Sequence, residues 1–175
     1  MWLPRKIVVV IACLMLVGCG FTPVYQQAAS SGENAVAHPQ LAKVAVQDVV
    51  ERQGYGRSAQ LLKVELQDLL DPHGATATPA YTLAIELRAD REPMFIERDR
   101  RVTRYNLVVT AKYVLKDAKG KALTKGTSRM VGSYDKEASD FATIAAEQDT
   151  RHRAVKELAR DIQQRLLAYF AGTGA

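Results

Sequence analysis

Between Tyr81 and Tyr134 apolar residues return at every second position, and no other feature of the chain restricts its fold so strongly. Tyr81, Leu83, Ile85 and Leu87 point one way, while Thr82, Glu86, Arg88 and Asp90 point the other. The run from Arg101 to Lys116 repeats the pattern, with Tyr105, Leu107, Val109, Tyr113 and Leu115 inward. A period of two is that of an extended strand, and one apolar face per strand is the habit of antiparallel sheets solvated on one side. Asp117-Ala118-Lys119-Gly120 reads as a hairpin turn, with Gly120 at the position that needs a positive φ. Leu123 to Tyr134 completes a three-stranded meander, although Gly126, Ser128 and Gly132 leave its register open.

Leu41 to Val50 is a further strand, with Val44, Val46 and Val50 on one face and Lys43 and Gln47 on the other. The Gly54-Tyr55-Gly56 turn ends it. Ser58 is placed to cap a helix from Ala59 to Leu70, whose stripe is Leu62, Leu66 and Leu69 and whose stop is Asp71-Pro72. A long helix runs from near Ser139 to Phe170, with Gly172 just past its end. Its apolar face is Ile144, Val155, Leu158, Ile162, Leu166 and Tyr169; Arg153 with Glu157 and Asp161 with Arg165 are i,i+4 pairs. The order β-α-β-β-β-α leaves three apolar faces to bury together. The predicted fold is an α+β two-layer sandwich, with two helices on one face of a four-stranded, mostly antiparallel sheet. It is expected to form one domain over residues 41–171.

The N-terminus carries a different signal. Arg5 and Lys6 precede an apolar run from Ile7 to Val17, which closes on Leu16-Val17-Gly18-Cys19. A basic start, a short apolar core and small residues at the exit are the parts of a secretory signal. The run is shorter than the roughly twenty apolar residues of a membrane span. Leu-x-Gly-Cys resembles the lipobox of bacterial lipoproteins, which implies cleavage after residue 18 and lipid on the Cys19 sulfur. An ordinary signal peptide with a chance cysteine is the other reading. Residues 19–40, rich in Ala, Ser, Gln and Gly, follow as a lipidated N-terminus and flexible tether.

Losing residues 1–18 lowers the net charge from +5 to +3 and removes Cys13, leaving no thiol for a disulfide. An exported chain of that charge meets anionic lipid before it meets DNA, so no nucleic-acid partner is expected. His38, His73 and His152 share no metal-ligand spacing. No nucleophile elbow, phosphate loop or dinucleotide fingerprint occurs. No enzyme activity, metal or cofactor is therefore expected.

Cys19-Gly20-Phe21-Thr22-Pro23-Val24-Tyr25 after the lipobox resembles the start of the LptE family in its alphaproteobacterial form. The later stretches Ser133-Tyr134-Asp135, Phe141-Ala142-Thr143 and Ala146-Glu147-Gln148-Asp149 continue that resemblance, as do Glu157 to Ile162 and Leu166 to Phe170. The resemblance implies the same α+β arrangement and a lipoprotein of the outer membrane. Its implied partners are the LptD β-barrel, which it plugs, and lipopolysaccharide, whose assembly and insertion it assists. A structural or accessory lipoprotein contacting peptidoglycan or an exporter is the alternative. Gly20 rather than Asp after Cys19 agrees with the outer membrane.

Two basic clusters could meet a phosphorylated amphiphile. Arg98, Arg100, Arg101 and Arg104 flank the apolar Met94-Phe95-Ile96, and arginine forks grip phosphate bidentately. The same arginines could instead be cross-strand ion pairs on a solvated face. Lys116, Lys119, Lys121 and Lys125 surround the other hairpin, where lysines ordinarily serve solubility and discourage edge pairing.

Overall fold

The computed structural model describes residues 40–53, 57–72, 74, 78–96 and 102–173. A 3-10 turn at Leu41–Lys43 leads into β1 (Val44–Val46) and β2 (Val50–Gln53). Helix α1 (Arg57–Leu70) follows, then β3 (Tyr81–Ile96), β4 (Val102–Asp117), β5 (Ala122–Asp135) and helix α2 (Asp140–Thr173). Strands β3, β4 and β5 form the antiparallel meander. Both β1 and β2 pair parallel to β3, so the sheet has five strands rather than four.

The expected first strand is split for a local reason. The Gln47 amide still donates to the Leu83 carbonyl at 3.0 Å, but the chain then leaves the ladder. Asp48 accepts from Lys63 of α1 at 2.6 Å. Three residues out of strand geometry shift the alternation by one. Val49 packs toward the core and Val50, expected inside, is 59% exposed. Glu51 lies in register with Leu87 and so faces the helix layer; both its carboxylate oxygens are buried without a hydrogen-bond partner. Leaving even a neutral polar group unsatisfied costs on the order of 1–3 kcal/mol, and a carboxylate more.

The core lies between the helices and one face of the sheet. Leu62 and Leu66 of α1 and Val155, Leu158, Ile162 and Leu166 of α2 are fully buried. They meet Leu83 and Leu87 of β3 and Leu107, Val109 and Leu115 of β4, the inward set of the alternation. The helices are also tied to each other, with the Gln163 amide donating to the Leu69 carbonyl at 2.8 Å and Lys156 pairing with Glu65 at 3.3 Å.

Several helix details differ from expectation. Ser58 does not cap α1 but sits inside its first turn, because the helix begins at Arg57. Helix α2 runs through Gly172 to Thr173, whose hydroxyl donates to the Tyr169 carbonyl at 3.0 Å and so satisfies the final turn. Asp161 pairs with Arg165 as expected, at 2.8 Å, whereas Arg153 pairs back to Asp149 at 3.0 Å rather than forward to Glu157. Ile144 is 54% exposed and does not belong to the buried stripe.

Small residues on β5 have a packing role. Gly126, Ser128 and Gly132 share the inward parity with Met130 and Tyr134, and α2 crosses this face. The fully buried Ser128 hydroxyl donates to Asp161 of α2. A Cβ on Gly126 would collide with the ring and hydroxyl of Tyr113, itself buried. Gly126→Val is therefore expected to cost about 1–3 kcal/mol through overpacking, read as a lower urea midpoint. Gly120 closes the β4–β5 turn at φ +80, as the alternation and turn chemistry predict.

Candidate functional site

Cys19, Arg98, Arg100 and Arg101 lie outside the described residues. Arg104 is described, and it is engaged. Its guanidinium donates to both carboxylate oxygens of Asp135 across β4–β5, at 2.7 and 3.3 Å, and that bond raises its pKa above the ordinary arginine value. Two neighbours in the same basic stretch are engaged as well. Arg88 is held by Asp90 at 2.7 Å, and Arg91 lies 5.0 Å over the Tyr105 ring while reaching Glu147 at 3.5 Å. The described part of the arginine cluster is thus an ion-paired surface. The apolar residues beside it close β3, which runs through Met94 to Ile96, with Met94 exposed.

The uncommitted cations lie elsewhere. The parity that sends Leu107, Val109, Ala111, Tyr113 and Leu115 to the core sends Lys112 and Lys116 to the opposite face of β4. Lys125 and Arg129 share that face on β5, Lys125 in register with Val114 and Arg129 with Thr110. The acid closest in register, Glu86 opposite Lys112, is taken by Arg52 at 2.7 Å. None of these four cations makes an ion pair among the described residues. The hairpin lysines Lys119 and Lys121 stand beside them, their backbone amides donating to Asp117 while their ammonium groups make no ion pair among the described residues. Thr127 and Thr110 sit between the cations, and the exposed Val131 continues the face toward Ser133, whose hydroxyl donates to Asn106 at 2.7 Å.

This face can present several ammonium and guanidinium groups at strand spacing to a polyanion, with hydroxyls and an apolar side chain between them. Lys112 and Arg129 were not singled out from the sequence. The signal was available: each is flanked by inward residues, and parity alone turns both outward.

A second polar group joins the sheet to α2. The buried Tyr134 hydroxyl donates to Glu147 at 2.9 Å, and Arg151 clamps the same carboxylate at 2.6 Å. Burial first, and then the bond to Glu147, push the Tyr134 phenol up to about 12. The folded state thus favours the protonated phenol over the unfolded chain, where the value is about 10. That stability is complete below pH ~10 and is lost as pH rises toward ~12, about two units or roughly 2–3 kcal/mol. Wild type is expected to lose more stability than Tyr134→Phe between pH 9 and 12, measured by thermal melts at each pH.

Among the described residues no three His, Cys, Asp or Glu side chains come together to hold a metal. His152 lies exposed on α2, and no described helix is long and apolar enough to cross a membrane.

The sequence matches the family model LptE, lipopolysaccharide-assembly, over residues 41–166, which takes in the sheet and nearly all of both helices. The chain belongs to the LptE family. Solved structures repeat the fold. A proposed lipoprotein from Caulobacter crescentus CB15 is 29% identical with a TM-score of 0.59, covering 76% of this chain and 94% of that one. The rare lipoprotein B from Shewanella oneidensis is 12% identical with a TM-score of 0.55, covering 75% of this chain and all of that one. A minor lipoprotein from Acinetobacter baumannii is 19% identical with a TM-score of 0.53, covering 73% and 92%. No curated protein matches the sequence. Within the LptE fold of this chain, the sheet face turned away from the helices carries four cations with no ion pair among the described residues.

Proposed function

We propose that this member of the lipopolysaccharide-assembly family is a non-catalytic outer-membrane lipoprotein, anchored through Cys19, that partners an LptD-type β-barrel as its plug. It assists assembly and insertion of lipopolysaccharide, whose phosphates meet the open face of the sheet. The observation that carries the ligand surface is the set of four cations on one sheet face, Lys112, Lys116, Lys125 and Arg129, that have no acidic partner among the described residues. Arg104 contributes less, being tied to Asp135, while Arg98, Arg100 and Arg101 remain a second candidate surface on the β3–β4 connection. A mixed-charge domain also suits the polar lumen of a large barrel.

Charge-assisted bonds contribute about 1.5–3 kcal/mol each where water is excluded, so losing two should weaken binding at least about tenfold. Lys112→Glu with Arg129→Glu is expected to weaken lipopolysaccharide binding by that factor while a large β-barrel still co-purifies. Arg98→Glu with Arg100→Glu is the comparison. If only the loop variant loses binding, the ligand surface is the β3–β4 connection and not the open face. If the wild-type chain brings down neither a barrel nor lipopolysaccharide, the assembly role itself is wrong.

A further inference from the structure

The two edges of the sheet are built differently. On one, β1 and β2 pair with β3 as pieces of three and four residues, separated by residues 47–49 and with a register shift between Glu51 and Gln53. Short, broken pieces blunt an edge against further pairing. The other edge is β5, a strand of 14 residues without proline, whose register with β4 is unbroken from Thr124 to Asp135. No described strand lies beyond it.

The phase of the ladder decides which backbone groups face that edge. The Lys136 amide donates to the Thr103 carbonyl at 2.8 Å, one step beyond the register pair of Arg104 and Asp135. In an antiparallel ladder such bonded pairs recur at every second residue. The even-numbered residues of β5 therefore bond β4, while Lys125, Thr127, Arg129, Val131 and Ser133 turn both N–H and C=O away from it. The Gln47 amide on the Leu83 carbonyl gives the same phase from the far edge. It turns the odd residues of β3 toward β1, their even neighbours toward β4, and so the odd residues of β4 toward β5. All five edge residues are exposed. At about 3.4 Å per residue they span roughly 27 Å.

We propose that β5 pairs with an extended acidic segment of a partner polypeptide, which adds to the sheet as a further antiparallel strand. In such an addition the backbone bonds supply affinity and alternate side chains supply specificity. Lys125 and Arg129 lie on one face of the strand and make no ion pair among the described residues, so an acid opposite each completes a cross-strand pair. Val131, 51% exposed on the same face, takes an apolar neighbour. Charge also argues against a second copy of this chain. Two copies paired through the middle of β5 would set cation against cation, directly opposite or on the diagonal, which is destabilising. The pairing uses backbone groups that lipopolysaccharide binding does not need, so its failure would leave the proposed function standing.

The test uses the full chain in micelles of an uncharged detergent, with the end-blocked peptide Thr-Thr-Val-Thr-Glu-Thr-Thr-Thr-Glu as probe. Aligned antiparallel, its valine faces Val131 and its two glutamates face Arg129 and Lys125. In the free chain the amides of Thr127, Arg129 and Val131 should exchange with deuterium at least tenfold faster than those of Ser128 and Met130, and the peptide should slow them at least tenfold. A peptide with lysine in place of glutamate should bind at least tenfold more weakly, and Lys125→Glu with Arg129→Glu should reverse that preference. Thr127→Pro removes an outward amide and no bond to β4, so it should melt close to wild type and bind at least tenfold more weakly. If that variant is destabilised, the peptide methylated on the amides opposite Thr127 and Arg129 makes the same comparison on the wild-type chain. Edge amides already protected in the free chain would mean that the chain itself or a second copy covers the edge, and this overturns the proposal. Equal binding of the lysine or methylated peptide, or no binding up to about 1 mM, overturns it as well.

Discussion

Leu158→Asp is expected to abolish the cooperative thermal transition of the domain, or to lower its midpoint drastically. Leu158 is fully buried on α2, in the core cluster shared with α1 and the sheet. Truncating a buried leucine costs about 2–5 kcal/mol before any charge is considered. A carboxylate in the same place adds several kcal/mol, or must take up a proton to stay inside. The whole stability of a domain this size is only about 5–15 kcal/mol. Ile162→Asp, one turn along the same face, should behave alike. Ile144→Asp is the control: it changes the same helix at a side chain 54% exposed, so it should stay within about 0.5 kcal/mol of wild type. A wild-type melting curve for Leu158→Asp would mean that α2 does not pack on the sheet in the way described.

Cys19→Ala is expected to eliminate acyl labelling of the chain and its release from the signal segment at that site. The proposed anchor rests on the sequence Leu16-Val17-Gly18-Cys19 behind a basic start and a short apolar run. Each buried methylene contributes about 0.8 kcal/mol, and one acyl chain alone gives only marginal, reversible attachment. The several chains that a lipobox implies hold a protein on the membrane almost permanently, so their loss should move it from the membrane fraction to the soluble one if the signal is still cleaved elsewhere. Metabolic labelling with an alkyne fatty acid reads the change directly. Undiminished label on Cys19→Ala would overturn the lipoprotein assignment.

The alternation from Tyr81 to Tyr134 was enough to identify three antiparallel strands and their inward faces, because parity is a local property that each strand carries in itself. Val155, Leu158, Ile162 and Leu166 likewise announced the buried stripe of α2 through their spacing. Parity failed where the chain left strand geometry. Residues 47–49 broke the first strand and turned Val50 outward, where Asp48 pairs with Lys63 of α1, a contact that no local pattern contains. Helix spacing failed at Ile144 for a related reason. The residue is in phase with the stripe, but burial depends on how far the partner layer reaches.

The candidate site divides in the same way. That arginines and lysines crowd both hairpins is written in the sequence, and so is the outward parity of Lys112 and Arg129. Which of those charges are already spent is not, since an ion pair is set by cross-strand register and side-chain reach. Arg104 meets Asp135 because residues 31 apart are aligned across β4 and β5, and Lys112 has no ion pair among the described residues, its register neighbour Glu86 being held by Arg52. The sequence by itself determined the layers of this protein and the family it belongs to; the tertiary structure decided which of the described cations are held by an acid and which are not, because that depends on distances between segments remote along the chain.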